Sequence, residues 1–304
     1  MEYIFKADNL CKYYGSFKAL EAVNMAVPQG SIYGFVGKNG AGKTTLMRLM
    51  CGLQFPSAGS YELFGKKNTD TALPPLRKRI GAVVEAPAIY KDLSAQDNLK
   101  LQCLNLGLPD YGDIPGLLKL VGLEQAGKKK AGKFSLGMKQ RLGIAVALCG
   151  HPDFLVLDEP TNGLDPQGIV EMRELLLKLN REQSITLLIS SHILEELSKL
   201  ATHYGFIDGG RILREMSAQE LERECRKCVR MKVEDTRILA RIMEGLGLEY
   251  KIIDQKLADV YGSLNFSETA ARFAEAGCVI FSMEEHDESL EAFFISLVGG
   301  DRHA

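Results

Sequence analysis

The stretch GKNGAGKTT, Gly37–Thr45, decides the fold. An apolar run, SIYGFV, precedes it and an apolar-faced segment, LMRLM, follows. Gly37, Gly40 and Gly42 let the backbone bend tightly, so the N–H groups around Asn39, Ala41 and Gly42 can converge on an anion. A helix that opens at this point adds its positive end. The spacing fits G-x-x-x-x-G-K-[ST]. Lys43 sets a point charge against the β- and γ-phosphates, Thr44 offers a hydroxyl to Mg²⁺, and Thr45 continues into the helix. Strand, glycine loop and helix in that order predict an α/β core that holds a nucleoside triphosphate. A glycine-rich turn before an ordinary helix is the plainer alternative.

Working outward, FLVLDEPTNGLDP (Phe154–Pro166) opens on a buried strand that ends in Asp158. A bare carboxylate there is costly, and a Mg²⁺ ion would compensate it. Glu159, at the mouth of the strand, is placed to accept a proton from an attacking water. A further apolar run, ITLLISS, leads into His192, at the strand end where ligands gather in α/β sheets. Its imidazole can reach a γ-phosphate oxygen. Residues 2–36 read as short strands, 42–50 as a helix, 95–150 as a mostly helical insert, and 166–179 as a helix opened by proline. HYGFIDGGRIL reads as a hairpin. Apolar strands that alternate with helices indicate a parallel core. From residue 216 a second unit begins. It reads as strand 228–234, helix 236–246, strands 249–253 and 257–261, helix 267–277 and strand 278–283, the β-α-β-β-α-β order of a ferredoxin-like domain.

Composition narrows the class. The 304 residues suit one large domain or two ordinary ones. A net charge of −2 gives no electrostatic drive toward nucleic acid or bilayers, so no nucleic-acid partner is expected. Seven scattered cysteines argue against a disulfide framework and for a reducing cytoplasm; Cys225-x-x-Cys228 stands alone in a charged stretch. No apolar run approaches the ~18 residues of a membrane span. The opening MEYIFKADNL lacks the apolar core of a signal peptide. Work at a membrane would therefore go through a partner.

One stretch stands apart. KFSLGMKQRLGIAVAL, Lys133–Leu148, is a second helix start suited to an anion, with Ser135 as its N-cap. With the glycine loop, the helical insert, LDEPTNGLDP and the strand before His192, this order of parts resembles the ATP-binding cassette (ABC) family over residues 1–215. The resemblance implies a P-loop ATPase with a mixed-sheet core and a helical subdomain. Phe134–Met138 then holds the place of the signature motif. In that family two cassettes pair head to tail, and each ATP lies between the loop of one and the signature helix of the other. Ser135 and the N–H of Gly137 would then meet the nucleotide of a second copy, and Asp165 would lie at the dimer seam. The family aromatic that stacks on adenine falls at Tyr14, with Tyr13 as a core neighbour.

Three positions depart from the family pattern. Glu85, in IGAVVEAPAIY, replaces the usual glutamine, and Leu136 and Met138 replace a glycine and a glutamine. Glu85 can reach Mg²⁺, but it brings a negative charge toward the phosphates. EAPA and FSLGMKQRLGIA together resemble the bacitracin-resistance and lantibiotic-immunity exporters. That resemblance implies a subunit that binds and hydrolyses Mg-ATP for a separate integral-membrane permease, peripheral on the inner face of the membrane, and exports antimicrobial peptides. A lipid or polysaccharide exporter and a soluble ABC ATPase without a transport role are the alternatives. The lysines of GKKKAGK (127–133) read as a solvated loop or a headgroup contact. The C-terminal unit carries no catalytic constellation and is expected to support packing or dimerisation.

Overall fold

The computed structural model describes residues 2–108, 111, 113–225, 227–286 and 290–300. The chain divides into two compact units, Met1–Ala218 and Gln219–Ala304.

The first unit opens with β1 (Tyr3–Tyr14) and β2 (Phe17–Pro28), an antiparallel pair turning at Gly15. These are not the short strands the sequence suggests, since each runs 12 residues. Register shifts interrupt the pair, and Asn9 and Ala22 sit at φ +46° and +49°. Such bulges break the period-2 alternation by which a long strand is recognised. Then come β3 (Ile32–Val36), α1 (Lys43–Met50), β4 (Ala58–Leu63), β5 (Lys66–Lys67), α2 (Leu73–Leu76) and β6 (Ile80–Val83). The helical insert contains α3 (Ala95–Leu106), α4 (Ile114–Leu120) and α5 (Leu136–Leu148). The core resumes with β7 (Phe154–Asp158), α6 (Pro166–Gln183), β8 (Thr186–Ser191), α7 (Leu194–Ser198), β9 (His203–Asp208) and β10 (Arg211–Ser217).

Two sheets result. One is antiparallel, in the order β2-β1-β4-β5; the other has the order β10-β9-β3-β8-β7-β6. In the second, β9, β3, β8, β7 and β6 run parallel, and β10 returns antiparallel at the edge. Every residue of β3, β7 and β8 is buried, as expected of central strands covered on both faces. One core joins the layers: Phe5, Leu20 and Tyr61 from the antiparallel sheet, Phe35, Phe154 and Leu188 from the parallel one, and Leu46, Leu49 and Met50 from α1 between them. Ser94 caps α3, its hydroxyl accepting from the Asp97 N–H at 3.1 Å. Gly81 of β6 lets α5 approach closely, since a Cβ there would lie 2.5 Å from the Ala147 carbonyl oxygen.

α8 (Ala218–Glu224) follows β10. The second unit contains β11 (Cys228–Val233), α9 (Thr236–Leu246), β12 (Glu249–Ile252), β13 (Leu257–Tyr261), α10 (Phe266–Glu275), β14 (Ile280–His286) and α11 (Leu290–Gly300). Its antiparallel sheet has the order β12-β13-β11-β14. Val229, Met231, Ala258 and Val260 face Leu239, Met243 and Phe273 in its core. Asp259, buried on β13, is neutralised by a bidentate Arg230 at 2.7 and 2.9 Å. α10 ends earlier than the sequence suggests. Gly277 takes φ +65° and the Cys278 N–H returns to the Phe273 carbonyl, a left-handed helix stop that delays the last strand to Ile280. Cys11, Cys51, Cys103, Cys149 and Cys278 carry free thiols. Burial pushes the Cys51 and Cys149 thiols up to about 12, so both stay protonated and unreactive.

Candidate active site

The glycine loop connects β3 to α1. Gly40 and Gly42 lie at φ +81° and +111°, conformations that disfavour any side chain. Gly42 is the N-cap of α1, and no side chain caps the helix, so its first N–H groups are free to meet an anion. Gly37 and Gly42 are tightly enclosed: a Cβ would lie 2.6 Å from the Ile207 carbonyl at the first and 2.7 Å from the Ala19 carbonyl at the second. Lys43 is buried at 6% exposure. Its ammonium donates to the Gly37 and Lys38 carbonyls at 2.5 and 3.2 Å and lies 3.5 Å from Glu159 Oε1. The loop's own carbonyls hold the lysine.

The acids of β7 sit directly across from it. Asp158 is buried, and its carboxylate accepts from the Thr44 hydroxyl at 2.8 Å and the Ser190 hydroxyl at 2.6 Å. Among the described residues no cation pairs with it. A buried carboxylate with only hydroxyl partners, beside a threonine at a phosphate loop, fits a divalent cation. Ser190, one residue from the end of β8, also accepts from the Glu159 N–H at 2.9 Å. Glu159 takes φ +50°, a strained backbone for a residue with a side chain. Its Oε2 lies 2.7 Å from His192 Nδ1, so β7 and β8 bring the acid and the imidazole together.

Gly40, Gly42, Lys43, Thr44, Asp158 and Glu159 line one cavity of about 360 Å³, together with Phe17, Ala19, Asn39, Thr45, Glu85 and Asn162, while Ser190 and His192 stand behind its acids and outside the lining. Glu85 takes φ +64°, so two of the three carboxylates facing the cavity stand on left-handed backbone. The Glu85 carboxylate does not meet Thr44 or Asp158; Arg48 on α1 hydrogen-bonds it instead. Tyr13 does not take the core position its sequence neighbourhood suggests. It is 38% exposed and no core neighbour. Tyr14 is half-exposed and stands outside the cavity lining, with its hydroxyl 2.5 Å from Gln54 Oε1 and the Lys12 ammonium 5.2 Å from its ring. The aromatic that lines the cavity is Phe17, 61% exposed, a residue the sequence reading passed over. Ser190 and Arg48 likewise stand in no motif of the sequence. Ser190 had a signal, a hydroxyl near the end of an otherwise apolar strand; Arg48 had none beyond its place on an amphipathic helix.

Ser135 caps α5, accepting from the Met138 N–H at 3.3 Å, and Asp165 caps α6, accepting from the Gly168 N–H at 3.2 Å. Both line a second cavity of about 430 Å³ with Leu136, Gly137 and Leu164; Arg141 and Glu171 form an ion pair at its wall. The two cavities share no residue. Within one chain the signature helix is thus not part of the phosphate site.

This constellation matches known sequences. The ABC transporter family matches residues 20–162. The chain is 42% identical over 303 residues to the bacitracin transport ATP-binding protein BcrA of Bacillus licheniformis, with 99% of both chains covered. The chain belongs to the ABC transporter family. The ABC cassette is also 45% identical over 212 residues to the lantibiotic transport ATP-binding protein SrtF of Streptococcus pyogenes, across 70% of this chain and 90% of that one. The dimeric post-hydrolysis state of the ATP-binding cassette MJ0796 bound to ADP and Pi superposes with a TM-score of 0.64 at 25% identity, over 70% of this chain and 98% of that one. As an ABC-type ATPase, the chain binds and hydrolyses ATP. No helix of the described residues is long and apolar enough to cross a membrane.

Proposed function

We propose that this ABC ATPase, peripheral on the inner face of the membrane, drives export of an antimicrobial peptide of the bacitracin or lantibiotic kind through a separate integral-membrane permease. The observation that carries this reading is similarity over 99% of both chains to a bacitracin transport ATP-binding protein, C-terminal unit included. Lipid or polysaccharide export has no comparable support. Neither does a soluble role, and no nucleic-acid partner is proposed. The disjoint cavities favour a dimer, in the simplest form two copies of this chain, with Ser135, Gly137 and Asp165 of each closing over the nucleotide of the other.

In this reading the N–H groups around Asn39, Gly40, Ala41, Gly42 and Thr45 hold the phosphates, with that of Ala41 turning from the Lys38 carbonyl to do so. Lys43 leaves the carbonyls of Gly37 and Lys38 for the β- and γ-phosphates. Thr44 and Asp158 would hold Mg²⁺, which supplies charge neutralisation at the phosphates. Glu85 joins them only by leaving Arg48. Glu159 accepts a proton from the attacking water at a carboxylate oxygen. His192, through Nδ1, fixes the direction of that carboxylate. Phe17 and Tyr14 offer aromatic surface to the base.

The test is a pull-down of tagged Glu159→Gln protein from detergent-solubilised native membranes with ATP and Mg²⁺. Co-purification of a multi-span hydrophobic protein is expected, and it should fail with Lys43→Ala. Recovery of ribosomal proteins or nucleic acid without a membrane protein refutes the transport reading.

A further inference from the structure

Three carboxylates, Asp158, Glu159 and Glu85, face a cavity that must also receive a polyanion. Asp158 is met by two hydroxyls, and Glu159 by Lys43 and His192. Glu85 has neither kind of partner inside the cavity. Its side chain is 60% exposed, and the guanidinium of Arg48 hydrogen-bonds its Oε1. Arg48 stands in the last turn of α1, the helix that starts at Lys43, and it is absent from the cavity lining. It therefore reaches Glu85 from outside the cavity.

The loop that carries Glu85 is also pinned. Glu85 sits at φ +64°, and two residues on, Pro87 packs on α5 where Gly143 leaves room: a Cβ at Gly143 would lie 2.7 Å from the Pro87 Cβ. The backbone that carries Glu85 is thereby held at the cavity mouth.

We propose that Arg48 is a positioning residue for the nucleotide. It pairs with Glu85 so that the cavity mouth is electrically neutral toward a bound triphosphate. An exposed ion pair of this kind contributes little to stability. Its consequence lies in the charge the phosphates meet, since an unpaired carboxylate at the mouth repels them through a partly desolvated space. The inference rests on the assignment of this cavity to ATP.

The experiment is calorimetric titration of ATP into the native chain, Arg48→Met, Glu85→Gln and the double variant, at low and high salt. Arg48→Met is expected to weaken binding by about threefold to tenfold at low salt, with a smaller loss at high salt. Glu85→Gln should bind as tightly as the native chain or more tightly. The double variant should return to within about twofold of native, because the charge that needed Arg48 is gone. That rescue separates charge compensation from misfolding. A double variant as weak as Arg48→Met overturns the proposal, as does an Arg48→Met protein with native affinity. Lys43→Ala, titrated alongside, tests the underlying assignment. Native affinity there would remove the ATP site itself, whatever Arg48 does.

Discussion

Replacing Glu159 by glutamine isolates proton transfer from positioning. The native carboxylate lies 2.7 Å from His192 Nδ1 through Oε2 and 3.5 Å from Lys43 Nζ through Oε1. Its backbone N–H is held by Ser190 at 2.9 Å, and its φ is +50°. Glutamine keeps the shape, the backbone bond and an oxygen for His192. It loses the basicity and one negative charge. A positioned general base contributes about 10²- to 10⁴-fold to rate, or about 2.7–5.5 kcal/mol of barrier. Phosphate release in the variant should fall by that factor. ATP affinity should hold or rise, since one of the carboxylates facing the phosphates is gone. At an ATP concentration of about 100 Kd the bound form should gain about 2.7 kcal/mol in unfolding free energy, and size-exclusion chromatography with ATP should show a dimer. Turnover within tenfold of native, with ATP binding intact, would falsify the assignment of Glu159 as base.

Other positions are as readily tested. Gly81→Ala drives a methyl to within 2.5 Å of the Ala147 carbonyl, so β6 and α5 must separate; a loss of about 1–3 kcal/mol in urea unfolding is expected, and an unchanged midpoint refutes the packing argument. Asp158→Asn removes the charge and keeps one oxygen acceptor, so one of the Thr44 and Ser190 hydroxyls must turn and accept from the new amide. The Mg²⁺ concentration for half-maximal ATPase should rise at least about tenfold, and an unchanged requirement would exclude Asp158 as a metal group. Burial raises the Glu215 carboxyl above its ordinary value, an effect that outweighs hydrogen bonds from the Tyr33 hydroxyl at 2.6 Å and the Ala26 N–H at 3.0 Å. A raised acid weakens the fold as pH climbs from about 4.3 through the folded value, because the unfolded chain ionises first. Glu215→Gln should abolish that fall. Parallel pH dependence of urea midpoints in the two proteins would contradict it.

How much was legible in the sequence depended on how local each signal was. Strand, glycine loop and helix at Gly37–Thr45 are bound by covalent spacing, so the phosphate cradle could be read from one segment. Asp158, Glu159 and His192 each follow an apolar run, and runs this short, bounded by turn residues and rich in Leu, Ile and Val, read as central strands. Fold class and the acidic end of the site followed from those runs. The long strands β1 and β2 did not, because bulges at Asn9 and Ala22 disrupt the alternation on which a strand is recognised.

What only the tertiary structure decided is which side chains face one another across separate elements. The parallel pairing of β7 with β8 sets His192 against Glu159 and Ser190 against Asp158. Packing of α1 beside the loop after β6 gives Glu85 to Arg48, and the course of β2 brings Phe17 to the cavity while Tyr14 stays outside it. Spacing along a chain fixes backbone geometry over a few residues. Ion pairs and ring positions between distant segments are set by the packing of the whole core, and no local pattern encodes them.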